Sequence, residues 1–160
     1  MEQHSSDKNN RECWTGIHVM PVLQAQLPLA VSFYLEQVYP LVQKGQYSWL
    51  ECIPTLNEVL HFAWSGENLA GMCIGKPQHA AASVLVAEAY RGGGTFLRLL
   101  QALDAHISTA PSDYTLLLPD SEQYRQLALA SGCLLLSRQN GVITAKRTLK
   151  KNLLKPSLYA

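Results

Sequence analysis

The residues best fitted to chemistry in this sequence are Arg91-Gly92-Gly93-Gly94-Thr95. They follow the apolar run Val84-Leu85-Val86 and precede Phe96, Leu99, Leu100, Leu103 and Ile107, whose spacing is helical. Successive glycines let backbone N–H groups converge with no Cβ in the way. The first turn of a helix adds unpaired N–H groups and the positive end of its dipole. Arg91 adds a planar, permanently charged fork suited to phosphate. A strand, this turn and a helix together point to a site for the phosphates of a cofactor.

The elements that position this turn must come from a single domain. The chain has 160 residues, 48% of them apolar and 16% charged, which suits one globular unit with a substantial core. A formal net charge of +1 gives no signal for nucleic acid or an anionic membrane. The apolar runs are far shorter than the roughly 20 residues of a membrane helix. The N-terminus, MEQHSSDKNNRE, lacks the apolar core of a signal peptide. Cys13, Cys52, Cys73 and Cys133 show no C-x-x-C spacing and read as reduced thiols of a cytoplasmic protein. The expected organisation is a disordered arm over 1–13, one domain over 14–149 and a basic tail over 150–160.

Periodicity gives the order of the elements. Thr15 to Leu23 is β-rich, with Pro21 marking an edge or an end. Gln26 to Val42 has helical spacing, Pro28 in its first turn and Pro40 expected to weaken or end the helix. Gly45 to Thr55 fits either a short strand or a second helix, and Thr55 to Glu58 has the form of a capping box. Val59 to Gly75 reads as a hairpin turning at Ser65-Gly66-Glu67-Asn68, with Gly71 marking a bulge or a close backbone approach. After a loop at Lys76 to His79, Ala80 to Glu88 is the strand that feeds the glycines. A helix over Thr95 to Ile107, a strand over Tyr114 to Leu118 and a helix over Glu122 to Ser131 follow. Asn140-Gly141 then turns a last hairpin between Cys133 to Ser137 and Val142 to Arg147. Strand, crossover helix and strand imply a parallel pair at Val84 and Leu116. The expected fold is therefore α/β (α+β), a mixed, mostly antiparallel twisted sheet of about six to seven strands with helices on both faces.

This pattern resembles the GCN5-related N-acetyltransferase (GNAT) superfamily over roughly Gly16 to Thr148. The element order is similar, including a hairpin ending in Ala70-Gly71. Arg91 and Gly94 match the first and fourth positions of the family's pyrophosphate loop, Q/R-x-x-G-x-G/A. Leu99-Leu100 matches the leucine pair of the helix behind it, and Gly132 stands where the family has the Gly of Gly-Phe. Two positions depart from the pattern. Phe96 fills the sixth loop position, where the family has Gly or Ala, and Ala128 stands where the family often has a general-acid tyrosine. Tyr124, one turn earlier, shares a helix face with Ala128.

The resemblance implies acyl transfer from acetyl-CoA, or another acyl-CoA, to a small-molecule or protein amine. The N–H groups of Gly92, Gly93, Gly94, Thr95 and Phe96, with Arg91, would hold the pyrophosphate. Backbone groups of Leu85 and Val86 would pair with the pantetheine arm by β-augmentation. Glu88 is the candidate base and Tyr124 the candidate acid, with His79, His61 and Glu51 as further bases. His106 reads as a helix C-terminal residue. The aromatic residues Trp14, Trp49, Trp64, Tyr34, Tyr39 and Tyr47 line either an acceptor pocket or the core. No metal, nucleic acid or membrane is implied. A homodimer is compatible with the pattern. The lysines from Lys146 to Lys155 suit an acidic partner or a solvated tail. A catalytically inactive domain that binds acyl-CoA or a protein as a regulator is the competing function, kept open by Phe96 and Ala128.

Overall fold

Glycine and asparagine in left-handed conformations turn the two main hairpins. Gly66 (φ +61°) turns β2 (Val59–Ser65) into β3 (Asn68–Lys76). Asn140 (φ +52°) and Gly141 (φ +78°) turn β6 (Leu134–Gln139) into β7 (Val142–Arg147). The computed structural model describes residues 16–92, 94–107 and 113–148. The expected N-terminal arm, the basic tail from Lys150 and Gly93 lie outside the described residues, as do Trp14 and Thr15.

With β1 (Ile17–Pro21), β4 (Ala81–Val86) and β5 (Tyr114–Pro119), these strands form one seven-stranded sheet in the order β1-β2-β3-β4-β5-β7-β6. β4 and β5 run parallel, and every other neighbouring pair is antiparallel. Helix α1 (Leu27–Gln43) covers one face, where Phe33, Tyr34 and Val38 pack with Leu60, Phe62, Met72 and Leu85. Helix α2 (Thr95–Ile107) and helix α3 (Glu122–Ala130) cover the other, where Phe96, Leu99, Leu100 and Leu103 meet Val84, Val86, Leu116 and Leu118. Period-two alternation along β2 sends Leu60 and Phe62 to the first face and His61 and Ala63 to the second. No helix among the described residues is long and apolar enough to cross a membrane.

Four local expectations are corrected or resolved. Pro40 does not end α1, which runs on to Gln43. The ring leaves the carbonyl of Glu36 without its N–H partner, but Glu36 and Pro40 lie on the exposed face where water can serve. Tyr47–Cys52 is a 3-10 segment that buries Trp49. Thr55 and Glu58 form a turn instead of starting a helix: Thr55 N–H donates to Glu58 Oε1 (2.9 Å), and β2 follows at once. At Gly71 both expected features occur. Ala63 pairs with Gly71 and Trp64 with Leu69, so Ala70 is the extra residue of a bulge. A Cβ added to Gly71 would lie 2.8 Å from the Leu85 carbonyl oxygen and 2.9 Å from Leu99 Cδ1, so α2 sits hard against the sheet there.

Candidate functional site

The parallel seam between β4 and β5 is zipped at one end and open at the other. Its register comprises Ala81 with Thr115 and Ala82 with Leu116. Beyond it, β4 stays with β3 as far as Val86 and Gly71, while β5 stays with β7 as far as Pro119 and Val142. The Ala70 bulge carries β4 past its last pair, because Ala70 O accepts from Ala87 N–H (2.8 Å). Successive strand residues turn their peptide groups to opposite sides. Leu85 turns its carbonyl toward β3, whereas Val86 presents both N–H and C=O to the open seam. Of the two residues expected to pair with an extended ligand, Val86 is the one that faces the gap.

That demand is met by a side chain. The Tyr124 hydroxyl, from α3, accepts from Val86 N–H (2.9 Å) and donates to Val86 O (3.2 Å). It stands in for the strand that β5 does not supply. Ser121 caps α3 by accepting from Tyr124 N–H (3.2 Å), which fixes the first turn from which the ring projects. Tyr124 is buried, and burial raises its phenol above the ordinary value, opposed by the Val86 bond and by Arg91. The i, i+4 relation proposed from sequence thus puts a tyrosine hydroxyl at the end of β4, while Ala128 is core.

Arg91 does not extend toward solvent. Its Nε donates to Val86 O (2.9 Å), its guanidinium donates to Gln123 Oε1 (2.6 Å), and it lies 4.9 Å from the centre of the Tyr124 ring. The expectation that this fork grips phosphate is not what the geometry displays: the guanidinium braces the strand end. Gln123 was not foreseen, since nothing in its local sequence separates it from an ordinary exposed helix residue.

The turn itself keeps its backbone available. Glu88–Tyr90 forms a 3-10 turn, Gly92 and Gly94 are exposed, and Gly94 takes φ +82°. Nothing lies within 4 Å of a Cβ built on Gly94. Arg98 N–H donates to Gly94 O (3.1 Å), so the N–H groups of Thr95, Phe96 and Leu97 precede the first helical bond. Thr95 Oγ1 is buried without a partner. Phe96 is 1% exposed and packs among the α2 core residues, so its ring does not crowd the turn. An open glycine, the N–H groups of a helix's first turn and an orphaned hydroxyl fit a phosphate-bearing ligand. The Arg91 side chain as placed does not add to that fit.

The remaining candidates are scattered. Glu88 is exposed, two residues beyond Val86. Glu51 is exposed in the 3-10 segment. His79 lies at the opposite end of β4, in a cleft with Asn57, Glu58 and Lys76. His61 is buried on the α2 face, its ring centre 4.7 Å from that of His106, and its Nδ1 has no partner. Among the expected acceptor aromatics, Tyr34 and Trp49 are core, Tyr39 and Tyr47 are exposed, and Trp64 packs edge-on against Phe62. Trp49 does one thing sequence did not suggest: its Nε1 donates to Gly141 O (3.3 Å), tying the 3-10 segment to the β6–β7 turn. Of the basic residues at the C-terminal end, Lys146 pairs with Asp113 at the surface and Arg147 with Asp104 in a largely buried place.

No protein-family model and no curated protein matches this sequence. Solved structures do match in fold. A GCN5-related N-acetyltransferase from Rhodopseudomonas palustris superposes with a TM-score of 0.61 at 15% identity, covering 82% of this chain and 95% of that one. A GNAT-family acetyltransferase from Staphylococcus aureus gives 0.58 at 15% identity over 84% and 99% of the two chains. A ribosomal-protein-alanine N-acetyltransferase from Brucella melitensis gives 0.55 at 15% identity over 82% and 99%. The chain has the GNAT fold.

Proposed function

We propose that this protein is an acyl-CoA-dependent N-acyltransferase, with acetyl-CoA as the simplest donor and an amine as acceptor. The observation that carries the reading is the half-open β4–β5 seam, ending at Val86 and followed by an exposed glycine turn at a helix N-terminus. Such a seam accepts an extended amide-bearing arm by strand addition, and the turn accepts its phosphates. The proposed pyrophosphate donors are the N–H groups of Gly92, Gly94, Thr95 and Phe96, with Gly93 between them.

A bound acyl-CoA supplies an activated carbonyl carbon and a thiolate leaving group. The chain must then orient that carbonyl, receive a proton from the attacking amine and deliver one to the departing sulfur. Val86 N–H is the proposed donor to an amide carbonyl of the arm, a contact that orients the thioester at the strand end. Tyr124 is the proposed acid: burial keeps its phenol protonated, and its hydroxyl already sits at the strand end. Glu88, the carboxylate nearest in sequence to Val86, is the proposed acceptor of the amine proton.

One observation favours a second reading. The Tyr124 hydroxyl holds both seam-facing groups of Val86, which suits a domain that binds without turnover. Two measurements separate the readings. Saturating CoA should raise the melting temperature, since a ligand at about 100 times its Kd stabilises by roughly 2.7 kcal/mol. Thiol release from acetyl-CoA with a panel of amines should follow. No thermal shift sinks both readings, and a shift without thiol release for any amine leaves the binding domain.

A further inference from the structure

The groups that a coenzyme arm would use on β4 are already satisfied, and by a single hydroxyl. Buried backbone N–H and C=O groups must find partners. Val86 is fully buried, its neighbour β5 has turned away, and Tyr124 supplies both bonds. Arg91 lies over the ring and bonds the same carbonyl, and Gln123 holds Arg91 from the preceding position on α3. The cluster contains no carboxylate. All its bonds run to a backbone amide, an amide side chain or a neutral phenol.

We infer that Tyr124 is a displaceable plug: in the free protein it closes the coenzyme groove, and an amide-bearing arm binds by replacing its hydroxyl on Val86. The inference rests on the coenzyme reading above and adds how access to that site is controlled. An arm lying along β4 needs Val86 N–H as donor, and one N–H does not serve two acceptors at full strength. Binding must therefore break the hydroxyl contacts before it regains equivalent ones. The net gain on Val86 is small in the wild-type protein. In a protein without the hydroxyl, Val86 N–H has no partner until the ligand arrives, so the same contact is worth more. Arg91 is a positioning residue here, acting through Tyr124.

The test is the affinity for a CoA analogue that keeps the pantetheine arm but lacks the thiol, so that no contact between Tyr124 and sulfur enters. Tyr124→Phe should bind this analogue about five- to tenfold more tightly than the wild type. Its Val86 amide should exchange with solvent faster in the free protein, and the analogue should restore protection. Gln123→Ala, a change at an exposed position, loosens the brace without emptying the core and should tighten binding about twofold. It keeps the test alive if Tyr124→Phe folds poorly. Equal or weaker binding by both variants, with wild-type binding intact, overturns the plug and leaves the coenzyme reading standing. No binding by any of the three proteins overturns both.

Discussion

Two tyrosine–arginine clusters sit at opposite ends of the β4–β5 seam. At the zipped end, Tyr114 OH donates to Asp104 Oδ1 (2.7 Å), and Arg147 donates to Asp104 Oδ2 (2.8 Å) and to Ser131 O (2.8 Å). At the open end, Tyr124, Arg91 and Gln123 close on Val86. The difference is the carboxylate. Asp104 ties the end of α2 to β5 and β7 with charge-assisted bonds in a largely buried place, the two side chains being 18% and 14% exposed. The open cluster has the same aromatic and the same cation but a glutamine where the aspartate stands. An ion pair holds the strands where the sheet must not part. A cation bonded only to uncharged partners holds them where a ligand is proposed to enter.

This contrast makes Asp104 the costliest residue of the two clusters. Asp104→Ala leaves the Arg147 guanidinium and the Tyr114 hydroxyl without their partner, and it is expected to lower unfolding stability by about 2–4 kcal/mol. Urea denaturation measures it. Tyr124→Phe removes a hydroxyl but leaves Arg91 on the Val86 carbonyl, and a loss of about 1–2 kcal/mol is expected. If Tyr124→Phe proves as damaging as Asp104→Ala, the open end is a second permanent lock and the comparison collapses. Saturating CoA sharpens it further: the deficit of Tyr124→Phe should shrink, and that of Asp104→Ala should not.

The parts of this seam that were legible in sequence are the local ones. Asn140-Gly141, Gly66 and the glycine turn announce themselves because their conformations are set by one or two residues. Phe96 was legible in part: helical spacing put it on the face of Leu99, Leu100 and Leu103, its loop position put it beside the phosphates, and its ring lies in the core. The Gly71 contact with Leu99 was half legible, since a glycine inside a strand marks either a bulge or a close approach. The placement of Arg91 was not legible, because its partner is Gln123, 32 positions away. Trp49 with Gly141 spans 92 positions, and no pattern in either segment points to the other. Contacts of this kind arise only once the sheet order is fixed, and that order is the property single-sequence periodicity constrains least.

A third buried polar group, His61, has no lock at all, and this yields the smallest expected effect. Its Nδ1 lacks a partner, and the charged or titratable groups around its cleft are His106 and Arg98, both unfavourable to a second positive charge. Burial lowers its pKa below the ordinary histidine value, and His106 adds to the shift. The folded protein therefore binds fewer protons than the unfolded chain as pH falls through about 6.5, the unfolded value. Stability should drop in that window and level off once pH passes below the lowered folded value. A single group changes stability by at most about 1.4 kcal/mol per pH unit, and only between its folded and unfolded values. Urea midpoints at pH 7.5 and pH 5 should differ for the wild type and differ less for His61→Gln. An unchanged slope in His61→Gln would assign the acid sensitivity elsewhere.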